Sequence, residues 1–472
     1  MRYYIDPFGC VKNQVDAENM MACLDKAGWE TSNAETADLI IVNSCGFIEN
    51  AKKESINAVI GWRRLYPEKK ILLAGCLAQR YAKELAESLT EADGFFGIEN
   101  ISGIAQAAEK TCLAEAKKTP HVNHSPSGDE HTASGKRPLL SLPGSAYVKI
   151  SEGCNNRCSF CAIPLIRGSL ASRTIPDITE ECRSLLARGI KELCFIGQDI
   201  GSFGTDTASG QINLPQLLNS ISLIEGHFWV RLLYIHPDHF PVQILDIMEK
   251  DKRFLPYFDI PFQHASAKIL AAMNRNGTAE KYLELIKTIR TRLPHAVIRS
   301  TFLLGFPGET EDDFKALLEF QEKAELDWLG CFTYSREEGT PSFSMKGQVP
   351  KKTAAARKQI VEERQIPITE KNMERFTGQT LEVLVEEQID SPAAEENFWL
   401  GRLYCQAPDI DGAAVITGAA EINPQLGNII PCKIIARRGF DLEARLLLTP
   451  GSHSAIINHA RSGSPLSSAA QS

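Results

Sequence analysis

Six short apolar runs recur between Ala146 and Ser335, and helical segments separate them along the chain. The runs are AYVKISEG, ELCFIGQD, WVRLLYIHP, PYFDIPFQH, AVIRSTFLLGF and WLGCFTYS. Strands that alternate with helices form parallel sheets, because each return to the same sheet edge needs a crossover connection. Six such units predict a partial (β/α)6 TIM-like barrel, whose functional groups should lie at the carboxyl ends of the strands.

The first 112 residues repeat the alternation and predict a second α/β unit with a parallel sheet. Three of its predicted strands, in YYIDPFGC, ADLIIVNSC and KKILLAGC, end in Cys10, Cys45 and Cys76. Ligands of open α/β sheets gather at the strand carboxyl ends, so the three thiols are candidates for one common site. Three buried structural cysteines are the alternative.

Composition limits the function classes that fit this chain. Its 472 residues indicate about three domains at roughly 150 residues each. The start MRYYIDPFGC lacks the pattern of an export signal, and no apolar run reaches the length of a membrane span, so we expect a cytoplasmic protein. A net charge of -8 argues against general nucleic-acid binding. Thirteen cysteines in a reducing compartment favour metal binding or catalysis over disulfides.

The segment SEGCNNRCSFC follows the first barrel strand and carries Cys154, Cys158 and Cys161. Thiolates are the usual ligands of iron–sulfur clusters, but a cluster of four irons held by three cysteines leaves one iron open. The open iron can take the amino and carboxylate groups of S-adenosylmethionine, whose carbon–sulfur bond then breaks on one-electron reduction. A zinc site that lacks a ligand and unpaired loop thiols are the alternatives.

The CxxxCxxC loop resembles the radical S-adenosylmethionine superfamily, and the three upstream cysteines resemble its methylthiotransferase branch. The segments FGCVKNQVDAE, IVNSCGFIENAKKES and LAGCLAQRY carry the second resemblance. It implies two 4Fe–4S clusters: a radical cluster on Cys154, Cys158 and Cys161, and an auxiliary, sulfur-carrying cluster on the upstream three. It also implies S-adenosylmethionine as cofactor. One molecule would supply the methyl group and a second the radical.

The same resemblance marks further residues that line the cofactor pocket of the family. They lie in SFC, FIGQD, IPFQH, IRST and FLLGFPGETEDDF. The implied cofactor-binding residues are Phe160, Gln198, Asp199, Gln263, Arg299, Gly305 and Glu309. For the strand-end residues of IPFQH and IRST, ordinary polar positions are the alternative. We interpret His236 and His239 in IHPDHF as loop residues, because the pattern lacks the helical face that would direct both to one ion.

Charge in the last domain distinguishes two branches of the family. This domain resembles the TRAM module, which should be basic in the branch that modifies a transfer-RNA adenosine. Between Thr377 and Leu447, eleven acidic residues stand against five basic ones. An acidic domain suits a basic protein substrate. CQAPDIDGAAVITG also resembles the other branch, which modifies an aspartate of a small-subunit ribosomal protein. We therefore predict methylthiolation of an aspartate β-carbon in ribosomal protein S twelve. An unidentified electron donor and a sulfur source are the further expected partners.

A transfer-RNA methylthiotransferase is the nearest alternative function, and an iron–sulfur protein without turnover is the second. The predicted domains are residues 1–112 (flavodoxin-like), 113–139 (linker), 140–372 (radical domain), 373–447 (small TRAM β-barrel) and 448–472 (disordered tail).

Overall fold

The computed structural model describes residues 1–113, 120–121, 136–207, 213–389, 396–419 and 423–447. Most of the predicted linker and the whole predicted tail lie outside the described residues. The described residues within 1–141 and 145–368 form one compact unit, and residues 142–144 together with the described residues within 369–447 form a second. No helix among the described residues is both long and apolar enough to cross a membrane.

The amino-terminal sheet has six parallel strands. They are β1 (Arg2–Pro7), β2 (Glu30–Thr31), β3 (Leu39–Ser44), β4 (Lys70–Gly75), β5 (Gly94–Phe96) and β6 (Pro120–His121). The helices are α1 (Val11–Lys26), α2 (Glu49–Leu65), α3 (Cys76–Ser88) and α4 (Ile104–Leu113). The strand order β2-β1-β3-β4-β5-β6 contains the flavodoxin-like order and confirms that prediction. Its switch point lies between β1 and β3, which is where open α/β sheets generally bind their ligands.

The second sheet contains all six predicted barrel strands. They are β7 (Ser145–Lys149), β10 (Glu192–Ile196), β11 (Trp229–Leu232), β12 (Phe254–Asp259), β13 (Val297–Leu304) and β14 (Trp328–Thr333). A short antiparallel ribbon, β8 (Ser151–Glu152) with β9 (Ala171–Ser172), follows β7. The six strands pair in parallel and in sequential order, which gives the predicted partial barrel.

Helices cover the outer face of this sheet. They are α6 (Ile175–Ala187), α7 (Leu214–Ser222), α8 (Ile244–Lys250), α9 (Ala267–Ala272), α10 (Ala279–Arg292), α11 (Glu311–Ala324) and α12 (Lys351–Glu374). The short helix α5 (Ile163–Arg167) lies instead directly after the cysteines of the loop that follows β7. Every residue of β7, β10 and β11 is buried, as is typical of parallel strands covered on both faces. The main apolar core lies between these strands and their helices.

The carboxy-terminal unit contains a small closed barrel. Its strands are β15 (Thr380–Ile389), β16 (Glu396–Arg402), β17 (Ala414–Ala419), β18 (Ile429–Arg438) and β19 (Asp441–Leu446), in the order β15-β16-β17-β19-β18. Inward-facing residues such as Trp399 and Ile434 are fully buried and fill the interior. The closed five-stranded barrel confirms the predicted small β-barrel.

Candidate functional site

The loop with Cys154, Cys158 and Cys161 is closed at its base by the ribbon of β8 and β9. Within it, the Cys154 amide donates to the Gly168 carbonyl oxygen at 3.1 Å, and the Cys161 amide donates to the Cys158 carbonyl oxygen at 3.1 Å. Gly153 has a φ of +68°, and a Cβ there would lie 2.1 Å from the Ser169 carbonyl oxygen. The turn therefore requires glycine immediately before the first cysteine.

The three loop thiols lie within electrostatic reach of one another. Burial raises the pKa of Cys154 to about 11, and the nearby Asp199 and Cys158 add to the rise. Burial raises the pKa of Cys161 to about 12, with further contributions from Cys158 and Cys154. Thiols in this setting ionise only when a cation or metal compensates the negative charge.

Asp199 follows β10 and is buried among hydrogen-bond donors. Its carboxylate accepts from Asn156 Nδ2 at 2.8 Å and Ser202 Oγ at 2.6 Å. It also accepts from the Gly201 and His236 amides at 3.0 Å each, and His239 Nδ1 lies 2.9 Å away. Burial opposes ionisation, but these hydrogen bonds outweigh it and lower the pKa of Asp199. The carboxylate thus anchors the cysteine loop through Asn156, and its predicted contact with the cofactor stays a prediction.

Gln198 precedes Asp199, and its side-chain oxygen accepts no hydrogen bond among the described residues. Its Nε2 donates to Glu152 Oε1 at 3.0 Å, whereas its Oε1 is buried without a hydrogen-bond partner among the described residues. A buried amide oxygen without a donor costs roughly 1–3 kcal/mol, so such an atom is suited to a donor on a ligand.

The loop after β13 carries Gly305 and Glu309. Glu309 Oε2 accepts the Gly305 amide at 2.8 Å, and its Oε1 accepts from Arg357 at 2.6 Å. Gly305 has a φ of +77°, and a Cβ there would lie 2.4 Å from the Ala354 Cβ. Both residues therefore shape this loop, and direct contact with adenosine stays a prediction for each.

Three more predicted pocket residues lie on the barrel. Gln263 follows β12, is buried, and has a left-handed φ of +68° that is uncommon outside glycine. Arg299 on β13 donates to Asp259 at 3.1 Å. Phe160 packs with Phe306 and Met273, beside the Arg275 guanidinium at 5.9 Å from its ring centroid. No sequence motif marks Arg275, which also lies against the Cys158 thiol.

The three upstream cysteines meet at the switch point of the first sheet. A Cβ on Gly9 would lie 2.8 Å from the Cys45 Cβ, and one on Gly46 would lie 2.6 Å from the Cys76 carbonyl oxygen. The loops after β1 and β3 and the start of α3, which directly follows β4, are therefore linked by direct contacts. Burial raises the pKa of Cys45, and it raises that of Cys76 to about 12.

Asn13 on α1 ties these loops together. Its Nδ2 donates to the carbonyl oxygens of Phe8 at 2.8 Å and Ser44 at 2.9 Å, while its Oδ1 lies 3.3 Å from Cys76 Sγ. Nothing in the cysteine spacing marks Asn13, but the VKNQ segment directly after Cys10 places it on the first helical turn. One asparagine therefore holds two strand ends beside the third thiol.

The segments that carry the two thiol sets are in contact. Cys76 packs in one apolar cluster with Ala162 and Ile166, which directly follow the cysteines of the barrel loop. Arg167, from the same turn, donates to Cys76 Sγ at 3.1 Å. No three or more His, Cys, Asp or Glu side chains in the described ranges form a group that could hold a single metal ion.

His236 makes stability depend on pH. Burial, with Arg275 nearby, lowers the pKa of His236 from 6.5 to about 4. Between these two pKa values the unfolded chain binds a proton at this histidine that the folded chain does not. His236 therefore costs no stability above pH 6.5, and it lowers the free energy of unfolding as the pH drops toward 4. Hydrogen bonding to Asp199 raises the pKa of His239, whose contribution is lost only above pH 6.5, outside that window.

We expect the cluster-free protein to lose about 3 kcal/mol of unfolding free energy between pH 7 and pH 4 through His236. Denaturant melts at several pH values measure this loss, and His236→Gln should flatten the dependence. His227→Gln, at an exposed position, is the control. An unchanged slope in His236→Gln would contradict the prediction.

Three family models match the chain. Residues 2–97 match the uncharacterized protein family UPF0004, residues 148–320 match the radical SAM superfamily, and residues 377–447 match the TRAM domain. The solved structure of the radical S-adenosylmethionine methyltransferase TsrM from Kitasatospora setae has a similar fold, with a TM-score of 0.54 and 15% identity. The alignment covers 72% of this chain and 73% of that one.

Two curated relatives are similar over nearly their whole length, and both are named ribosomal protein uS12 methylthiotransferase RimO. The protein of Treponema denticola is 48% identical, covering 93% of this chain and 99% of the relative. The protein of Syntrophomonas wolfei is 40% identical, covering 92% and 97%. Fold, domains and relatives together define a radical S-adenosylmethionine methylthiotransferase. Within that class, the chain belongs to the RimO family.

Proposed function

We propose that this chain methylthiolates the β-carbon of an aspartate in ribosomal protein uS12, the small-subunit protein S twelve, using two 4Fe–4S clusters and two molecules of S-adenosylmethionine. The names of the relatives support uS12 as substrate. Because that substrate is ribosomal, we place the reaction in the cytoplasm. An electron donor and a sulfur source complete the proposed set of partners.

The observation that carries the proposal is the contact of Cys76 with the residues that follow the cysteines of the barrel loop. Cys76 packs against Ala162 and Ile166, one and five residues after Cys161. Inserting sulfur requires that the carbon radical form next to the sulfur donor, since proximity determines which partner captures the radical. Two thiol sets on facing loops of one compact unit meet that requirement.

Both cysteine sets fit 4Fe–4S clusters by the chemistry of their donors. Each supplies three soft thiols, one set from a single loop and the other from three strand ends, and a cluster takes one thiolate per iron, so its ligands need not surround a common ion. Cys154, Cys158 and Cys161 would hold the radical cluster, and Cys10, Cys45 and Cys76 the auxiliary one. When bound and reduced, the radical cluster supplies the electron that cleaves S-adenosylmethionine.

The chain's own residues then bind and orient. Gln198 offers a buried acceptor oxygen to a donor of the cofactor, and Gly305 gives the loop after β13 its left-handed turn. Asp199 holds the cysteine loop through Asn156. Phe160, Gln263, Arg299 and Glu309 complete the proposed cofactor pocket. Its apolar wall around Phe160 excludes water, which protects a radical from side reactions.

The TRAM barrel supports a protein substrate over an RNA. Its four arginines lie within ion-pair distance of glutamates. The pairs are Arg402–Glu386 at 2.6 Å, Arg437–Glu370 at 3.1 Å, Arg438–Glu443 at 2.8 Å and Arg445–Glu396 at 3.9 Å. Paired guanidiniums neutralise few phosphates, whereas the acidic excess attracts a basic protein.

Mass spectrometry of uS12 and of bulk transfer RNA tests the proposal in a strain that lacks this chain. We expect uS12 to lose the mass of one methylthio group on an aspartate, with the modified nucleosides of transfer RNA unchanged. Complementation with the wild-type chain should restore the mark, and complementation with Cys45→Ala should not. Loss of a transfer-RNA mark alone would overturn the proposed substrate.

A further inference from the structure

The guanidinium of Arg167 lies between the two cysteine sets and is almost fully buried, with a side-chain exposure of 2%. We propose that Arg167 is a positioning residue that fixes the auxiliary cluster against the radical-cluster loop and tunes its reduction potential. This inference rests on the two-cluster function proposed above.

The guanidinium contacts groups from three different segments. Its Nη2 donates to Cys76 Sγ at 3.1 Å and to Asp16 Oδ2 at 2.8 Å, and it lies 3.2 Å from Asn13 Oδ1. Its Nη1 donates to Glu152 Oε1 at 3.0 Å. The planar fork of arginine is the side chain suited to several acceptors in fixed directions.

Lys149 completes a square of charges around this contact. It donates to Asp16 Oδ1 at 2.6 Å and to Glu152 Oε2 at 2.7 Å, which are the carboxylate oxygens that Arg167 leaves open. The positive charges of the two cations therefore balance the negative charges of the two carboxylates. With both carboxylates satisfied by two cations, Arg167 can also direct a charge-assisted N–H group at the sulfur.

The square connects the parts of the chain that carry the cysteines. Glu152 stands two residues before Cys154, and Arg167 stands six residues after Cys161, so both ends of the radical loop are tied to it. Asp16 lies on α1, whose amino-terminal end is Cys10. Movement of either loop would break at least one of these ion pairs.

The contact should act on one cluster only. Hydrogen bonds to the sulfurs and nearby charge set the potential of an iron–sulfur cluster, and donors stabilise its reduced, more negative state. Arg167 contacts Cys76, whereas the guanidinium beside Cys158 belongs to Arg275. Loss of Arg167 removes one donor and leaves two carboxylates with one lysine, so the auxiliary potential should become more negative.

Redox titration followed by electron paramagnetic resonance tests this in the reconstituted full chain. Arg167→Gln and Arg167→Lys are each combined with Cys158→Ala, which keeps only the auxiliary cluster, and with Cys45→Ala, which keeps only the radical cluster. Arg173→Gln is the matched control, since Arg173 is equally buried and pairs with Glu181 without touching a thiol.

We expect a more negative auxiliary potential in Arg167→Gln, a smaller shift in Arg167→Lys, and no shift of the radical cluster in either. The lysine variant retains the charge and keeps the experiment informative if the glutamine variant folds poorly. Unchanged auxiliary potentials, equal shifts of both clusters, or the same shift in Arg173→Gln would overturn the role of Arg167. A wild-type chain that binds only one cluster would instead refute the two-cluster function.

Discussion

Cys158→Ala should lower the rate at which S-adenosylmethionine is cleaved to 5′-deoxyadenosine by at least about a thousandfold, because no side chain can replace a one-electron reductant. Iron should fall to about half of the wild-type content, since the auxiliary set keeps its own three thiols. Cys45→Ala should also lose about half of the iron, yet it should continue to cleave S-adenosylmethionine and form no methylthiolated product. Chromatography of anaerobic reactions and iron analysis measure both effects.

Cys182→Ala is the control for the loss of a buried thiol. Cys182 lies on α6 in the barrel core, is fully buried, and is remote in sequence from both sets. The Cys182→Ala variant should retain all of its iron and full activity, and it should lose only a modest part of its unfolding free energy. Complete loss of iron in Cys158→Ala would show that the two sites are not independent.

The second large effect concerns stability. Arg137 is fully buried and pairs with Glu18 on α1 at 2.8 Å and with Glu181 on α6. Its guanidinium also donates to the Tyr147 carbonyl oxygen on β7. Arg137→Met should cost about 3–5 kcal/mol of unfolding free energy, because it leaves a buried carboxylate on α1 without its cation.

Denaturant melts of the cluster-free chain measure this loss. Arg292→Met is the matched control, because Arg292 pairs with Asp246 and Glu249 at the surface, where water screens the pairs, and its loss should cost far less unfolding free energy. Glu18→Gln in the Arg137→Met background should recover part of the loss by removing the unpaired charge. Equal costs at the two arginines would contradict the buried network.

Much of the fold follows from short-range sequence patterns. The runs ending in Cys10, Cys45 and Cys76 form β1, β3 and β4 and the turns after them, and all six barrel runs form strands. Periodicity predicts such elements because it reports which face of each is buried. The domain limits at residues 112, 139, 372 and 447 stay predictions, since composition changes only gradually there.

Among the candidate site residues, some are predictable from local sequence and others depend on contacts between distant segments. The three-cysteine loop is recognisable because its cysteines are close in sequence, so their spacing alone predicts an iron–sulfur site. Asp199 is different: the sequence marks it as a carboxylate at a strand end, but its donors outside its own turn come from two distant segments, the cysteine loop and the loop after β11. Its hydrogen-bond state depends on how those segments fold back on β10.

The sequence by itself determined the six cysteine ligands proposed here, the alternation of strands and helices, and the acidic terminal domain. These are properties of local order and composition. Only the tertiary structure decided that Arg167 reaches Cys76, 91 residues away along the chain, and that Asp16 and Glu152 hold it there. Such contacts depend on how two independently predicted sheets pack, and no pattern within either sheet encodes that packing.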